Sequence, residues 1–235
     1  MERAPRTSVV IPTLNEAETI AAVIAEIPRA LAGEIIVADG GSQDATAASA
    51  RAAGARVIAA EGGGYGRACA AGVAAADPSA DIIAFLDGDG ADRGDLLGRL
   101  VGPIAAGTHD LVLASRTLGE RDPGAMLWHQ VLAGRLIGRV IAARTGVLYT
   151  DMCAFRAIRR EALAQLGMRE MTYGWNVEMQ IRAARTGLRV IEVPMPYRCR
   201  AGGRSKVGGS ITGTLRASVR ILAVVWRLAG KLGRE

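Results

Sequence analysis

Histidine, cysteine and aromatic residues are scarce in this chain, and each scarcity excludes something. The two histidines, His109 and His129, have no partner at metal-ligand spacing and read as ordinary surface or core residues. Cys69, Cys153 and Cys199 are far apart and odd in number, with no CxxC or finger spacing. That pattern excludes a disulfide framework and points to a reducing, cytosolic compartment. No run of 18 uncharged apolar residues is present, so nothing is expected to span a bilayer. Residues 1–7 are short and polar and lead straight into a strand, so no signal peptide is expected. Aromatics make up 4% of the residues and form no stacking set, and no nucleic-acid module is recognisable. Nucleic acid is therefore not an expected partner.

Half of the 235 residues are hydrophobic, enough for the core of one α/β domain. The formal net charge of +6 favours anionic partners such as phosphates or an acidic membrane surface. Strand and helix signals alternate. Strands are expected at 8–12, 34–39, 56–58, 82–86, 110–116 and 189–194, and helices at 15–19 onward, from Ser42 as N-cap to Arg51, at 67–76 and at 178–186. This order implies a mostly parallel sheet with helices on both faces. No internal repeat or clear linker divides the chain.

The apolar run Ile82-Ile83-Ala84-Phe85-Leu86 ends on Asp87-Gly88-Asp89, with Gly90 beyond. Strand ends of this kind border the ligand crevice of open α/β sheets. Two carboxylates around one small residue leave room for hydrated Mg²⁺, which takes one or two protein carboxylates and completes its shell with water and phosphate. A plain Asp/Gly turn has the same composition. A dinucleotide site is a poorer reading. Gly64-Tyr65-Gly66 is followed by Cys69 where the third glycine belongs, and it comes after the third strand, not the first.

Together, Val10-Ile11-Pro12-Thr13-Leu14-Asn15-Glu16, Val37-Ala38-Asp39-Gly40-Gly41-Ser42-Gln43-Asp44 and Leu86-Asp87-Gly88-Asp89 resemble the family 2 glycosyltransferases of GT-A (Rossmann-like) fold. The branch most resembled is that of the polyprenyl (dolichyl) phosphate sugar synthases. Further matches are Ala114-Ser115-Arg116, Thr150-Asp151 with Phe155-Arg156, Trp175-Asn176-Val177-Glu178-Met179, and Arg204-Ser205-Lys206, so the resemblance runs over residues 8–206. It implies an inverting, metal-dependent transfer of a hexose from a UDP- or GDP-sugar to a polyprenyl phosphate or other lipid acceptor, with Mg²⁺ or Mn²⁺ as cofactor. By the same resemblance Pro12, Asn15, Glu16, Asp39, Gly64, Gly66, Arg67, Asp87 and Gly88 bind the nucleotide sugar, and Asp87 and Asp89 hold the metal, with Asp92 close enough to help. Asp89, Arg116 and Glu178 are the implied catalytic residues. Glu178 would be a base if the acceptor were a hydroxyl on a glycolipid or small molecule. A phosphate acceptor, already largely dianionic at neutral pH, needs cations instead. Arg116, with Arg200, Arg204, Ser205 and Lys206, is the expected acceptor-phosphate set. Asp151 is expected to fix the acceptor loop. Gly40 stands where the family often has a second acid, and Met152-Cys153-Ala154 where relatives show Gly, Pro or Ser.

The expected domain covers residues 1–208, and 209–235 an amphipathic helix. Arg216, Arg220, Arg227, Lys231 and Arg234 recur at spacings of 4, 7, 4 and 3 residues, which places them within roughly 60° of one another on a helix. Leu215, Val219, Leu222, Val225, Trp226 and Leu232 point elsewhere. A basic stripe beside an apolar face fits a helix lying in an anionic membrane surface. The segment from Met126 to Ala143, with Arg135 and Arg139 four apart, could lie beside it. Docking on the domain or in a homodimer is the alternative. The expected location is cytoplasmic, peripheral on the inner face of the membrane.

Overall fold

Aliphatic and β-branched runs form the centre of the sheet because helices cover both of its faces. The computed structural model describes residues 5–202 and Val224. Its strands are β1 (Thr7–Thr13), β2 (Glu34–Asp39), β3 (Arg56–Ala59), β4 (Ile82–Phe85), β5 (Leu111–Ser115), β6 (Arg156–Arg159) and β7 (Val190–Pro194). They form one sheet in the order β3-β2-β1-β4-β6-β5-β7. The pairs β1–β2, β1–β4, β2–β3 and β5–β7 are parallel. Strand β6 runs antiparallel to both β4 and β5. The mostly parallel GT-A-like sheet is as expected, but the reversed strand is not. Arg156-Ala157-Ile158-Arg159 has an arginine at each end and no apolar run for periodicity to detect.

The helices are α1 (Ile20–Glu26), α2 (Thr46–Ala52), α3 (Tyr65–Ala75), α4 (Gly98–Ala105), α5 (Trp128–Thr145), α6 (Arg160–Leu166) and α7 (Trp175–Arg185). Alternation along β1 divides the core into two. Val9 and Ile11 pack with Ile24, Leu100 and Ile104 on one face. Val10 packs with Phe85, Leu113, Ile141, Trp175 and Met179 on the other.

Two helix starts differ from expectation. Asn15 takes a left-handed φ of 52°, so residues 14–19 turn before α1 begins at Ile20. Ser42 does not cap α2. The N-cap position is Ala45, with no side-chain cap, and Asp44 just before it accepts the Thr46 amide at 3.0 Å and the Ala17 amide at 3.3 Å. The expected C-terminal helix at 209–235, and with it the boundary at 208, lies outside the described residues except for Val224, which is buried against Gly174. Among the described residues no helix is long and apolar enough to cross a membrane.

At the other end of the sheet Asp110 ties three strands together. It accepts Arg159 Nη2 at 2.8 Å, Arg189 Nη2 at 2.9 Å and the Arg189 amide at 3.0 Å. The Arg189 hydrogen bonds, helped by the Arg159 charge, outweigh burial and hold this carboxyl well below the usual carboxylate range. A depressed pKa contributes stability above the unfolded-state value near 4, and that stability is lost as pH falls through the folded value. Asp110→Asn is expected to cost about 1–2 kcal/mol at pH 7, after allowance for the solvent-exposed guanidinium ends. Urea unfolding should show the gap from wild type shrinking below about pH 4.

Candidate active site

The Asp87-Gly88-Asp89 turn leaves β4 at the edge where β1, β2 and β5 also end. It lies flush on the first strand–helix turn. Thr19 Oγ1 donates to the Gly88 carbonyl at 2.6 Å, and a Cβ on Gly88 would fall 2.9 Å from Thr13 Cγ2. Asp89 accepts the Ala91 amide at 2.9 Å through one oxygen and pairs with Arg200 Nη2 at 2.8 Å through the other. Asp92 is buried behind them and accepts the Asp87 amide at 3.4 Å. Burial, then the charges of Asp89 and Asp92, push Asp87 up to about 8 against the opposing pull of Arg116 and Arg200. Burial and Asp89 likewise push Asp92 up to about 6. Buried negative charge that two arginines only partly offset is the donor chemistry a divalent cation answers. Among the described residues no three His, Cys, Asp or Glu side chains form a complete metal cage. One or two carboxylates are what Mg²⁺ and Mn²⁺-type sites ordinarily need when substrate phosphate supplies the rest.

The expected nucleotide-side residues gather next to this turn. Asn15 and the β2 loop are clasped together: the Asn15 amide donates to Ser42 Oγ at 2.8 Å, and Asn15 Oδ1 accepts the Gln43 amide at 2.8 Å. Asp39 accepts the Ser42 amide at 3.1 Å and its hydroxyl. Pro12 is buried at the end of β1. Glu16, buried, pairs with Arg200 Nη1 at 3.4 Å. Arg200 therefore bridges Glu16 and Asp89. Residues 197–202 strap it there through Arg198 N–H to Ala91 O at 3.1 Å and Ala201 N–H to Asp89 O at 3.1 Å.

The glycine segment packs against the backbone of residues 170–172. The Gly66 and Arg67 amides donate to the carbonyls of Thr172 and Met171, at 3.2 and 2.9 Å, so they do not point free toward a diphosphate. A Cβ on Gly64 would fall 2.6 Å from the Met171 carbonyl oxygen, and one on Gly66 would overlap the backbone of Glu170 and Met171. Here glycine permits two backbones to touch. The Arg67 side chain folds back on the Gly63 carbonyl at 3.2 Å.

Beyond the end of β5, Arg116 grips Asp151 with two parallel bonds of 2.7 Å, its backbone amide adding a third at 2.9 Å. Against the upward push of burial, the charge and hydrogen bonds of Arg116 hold Asp151 below the usual range. The guanidinium also lies 5.0 Å from the Tyr197 ring centre. Glu178 is not exposed. With 0% accessibility, it accepts the Arg169 amide at 2.9 Å, the Glu170 amide at 2.6 Å and Arg182 Nε at 2.9 Å. Its carboxylate is thus occupied in fastening the 169–170 loop to the first turn of α7, a position the sequence shows but whose burial it does not. Arg204, Ser205 and Lys206 lie outside the described residues. Two residues without an assigned role also belong to this region. Tyr197 supplies the ring against Arg116, and fully buried Arg156 donates to the carbonyls of Cys153 and Asn176, at 3.1 and 3.2 Å.

Residues 8–167 match the profile described as glycosyl transferase family 2. The chain belongs to that family. It is 37% identical over 222 residues to an uncharacterized glycosyltransferase of Mycobacterium tuberculosis, covering 93% of this chain and 97% of the relative. It is 32% identical over 250 residues to an undecaprenyl-phosphate mannosyltransferase of Micrococcus luteus, covering 97% and 99% respectively. Among solved structures, glucosyl-3-phosphoglycerate synthase of Mycobacterium tuberculosis in complex with Mn²⁺, UDP-glucose and phosphoglyceric acid matches with a TM-score of 0.76 at 27% identity. That match covers 96% of this chain and 80% of the other. This glycosyltransferase therefore shares its fold with proteins whose acceptors differ in kind.

Because Glu178 is saturated by protein donors, its loss should register as stability. Glu178→Gln is expected to lower unfolding free energy by about 2–3 kcal/mol in thermal or urea melts. Loss of turnover in a variant of unchanged stability would instead mark Glu178 as the base.

Proposed function

We propose that this enzyme transfers a hexose, with inversion, from a nucleotide sugar of UDP-glucose or GDP-mannose type to a polyprenyl phosphate at the cytosolic membrane face. The observation that carries the reading is the pairing of a crowded carboxylate cluster, Asp87, Asp89 and Asp92, with a guanidinium, Arg116, two strand positions away. The first suits a diphosphate-bound cation, and the second suits an anionic acceptor. The Micrococcus relative, matched over nearly its whole length, acts on undecaprenyl phosphate by its name.

Asp87 and Asp89 are the residues that would hold Mg²⁺ or Mn²⁺. The ion, when bound, supplies charge stabilisation to the departing diphosphate. The chain's own residues do the rest. Pro12, Asn15, Glu16 and Asp39 form the wall that receives the nucleotide. The Asn15–Ser42–Gln43 clasp holds that wall rigid, so little ordering is needed on binding. Arg200 reaches both Glu16 and Asp89 and can turn its fork to phosphate oxygens when the donor arrives. Arg116, its plane fixed by Asp151 and Tyr197, orients the acceptor phosphate for attack on the anomeric carbon. A phosphate dianion needs no base, which agrees with a buried and saturated Glu178.

The second reading is a water-soluble acceptor, favoured by the structural match to a synthase bound to phosphoglyceric acid. Incubation with labelled UDP-glucose, UDP-galactose or GDP-mannose and Mn²⁺ separates the two. A lipid-extractable, acid-labile product formed only with polyprenyl phosphate supports the first; label on phosphoglycerate alone rejects it. Asp89→Asn is expected to lower transfer roughly 100-fold or more while the melting temperature stays level or rises, since charge crowding is relieved.

A further inference from the structure

Helix α5 carries an apolar face that nothing among the described residues covers. Trp128 is 77% exposed, Leu132 55% and Leu136 57%. On a helix advancing about 100° per residue these three share an arc of roughly 100° with Arg135, Arg139 and Ala143. All six are exposed. Gly138 and Ile141, on the opposite side, are buried, so the helix is already seated and its outer stripe is surplus to the core. Leu127, at the start of the helix, and Leu118 and Leu148, near its two connections, extend the exposed apolar surface.

The place of this stripe in the fold matters as much as its composition. Residues 117–150 form an excursion whose two ends are stapled by the Arg116–Asp151 ion pair just beyond the end of β5. Thr117 Oγ1 also donates to the Thr150 carbonyl at 3.2 Å, holding the two legs side by side. Whatever docks on α5 is therefore held at a fixed place relative to Arg116.

We propose that this face of α5 docks on the surface of a bilayer containing anionic lipid. Charge decides the occupant. Between Asp122 and Asp151 the chain has no acidic residue, while Arg135, Arg139 and Arg144 are all exposed on α5. A second copy meeting this face about a two-fold axis would bring Arg135 and Arg139 against their own counterparts with no acid to answer them. An anionic surface pairs with the arginines, and its acyl boundary receives the tryptophan and leucines. The proposal deepens the reading of a lipid-linked acceptor and rests on it for its purpose, since a docked α5 sets the crevice mouth at the depth where a lipid phosphate lies.

The test is co-sedimentation of the full chain with vesicles of phosphatidylcholine, alone or with phosphatidylglycerol. Wild type should partition onto the anionic vesicles. Arg135→Gln with Arg139→Gln should weaken partitioning roughly fivefold for each arginine. Leu132→Ser with Leu136→Ser, both more than half exposed and so tolerable to the fold, should also release the protein. In a Trp226→Phe background, Trp128 should be quenched by acrylamide in free protein and shielded on vesicles. Partitioning that ignores both double variants overturns the proposal. So does a Trp128 already shielded without vesicles, or a dimer that the leucine variants dissolve. Transfer to a short polyprenyl phosphate in detergent separates the two ideas. Retained transfer by a chain that never docks removes the docking surface alone. Docking without any lipid transfer keeps the surface and removes the acceptor reading.

Discussion

Three carboxylates crowded into one strand end are the constraint that the rest of the site answers. Burial and neighbouring carboxylate charge push Asp87 and Asp92 upward, and nearby positive charge opposes that push. Arg200 meets Asp89 directly. Arg116 acts through space and is itself locked in place by Asp151. The strap that brings Arg200 to the corner is anchored by Arg198, which takes both oxygens of Glu26 at 2.9 and 2.8 Å and the Asp92 carbonyl at 3.0 Å.

The arginines around the corner differ in freedom, and freedom sorts their roles. Arg116 has two of its donors committed to one carboxylate and a ring beneath it, so it offers a fixed field. Arg200 is partly exposed and shared between two carboxylates, the longer contact being 3.4 Å, so it can change partners cheaply. Arg156 is wholly buried among carbonyls, where burial lowers its pKa, and is a permanent part of the interior.

Most of the sheet was legible because its strands are uninterrupted aliphatic runs, and such runs have few alternatives once turns bound them. The Asp-Gly-Asp end was legible for the same reason, since acids stand out where an apolar run stops. What escaped was set by tertiary contact. Strand β6 has no pattern of its own and exists because β4 and β5 each offer it an edge. The close approach of Gly64 and Gly66 to the backbone of residues 170–172, a hundred positions along the chain, left no trace in the local motif. Glu178 carried a familiar motif, and only its surroundings reveal that its oxygens are spoken for. Arg200 stood out as a site arginine, but its pairing with Glu16 and Asp89 was not legible, because sequence spacing says nothing of how residues 197–202 fold back over Asp89.

Strand β6 also acts as a gauge. In the ladder Arg156 stands opposite Phe85 of β4 and Leu113 of β5. Two inter-strand spacings, roughly 10 Å together, therefore separate the strand that ends in the acids from the strand that ends in Arg116. Loops can lengthen and helices can slide without altering that interval, since it is set by backbone hydrogen bonds. The two chemical halves of the crevice thus keep a constant span while everything around them remains free to diversify.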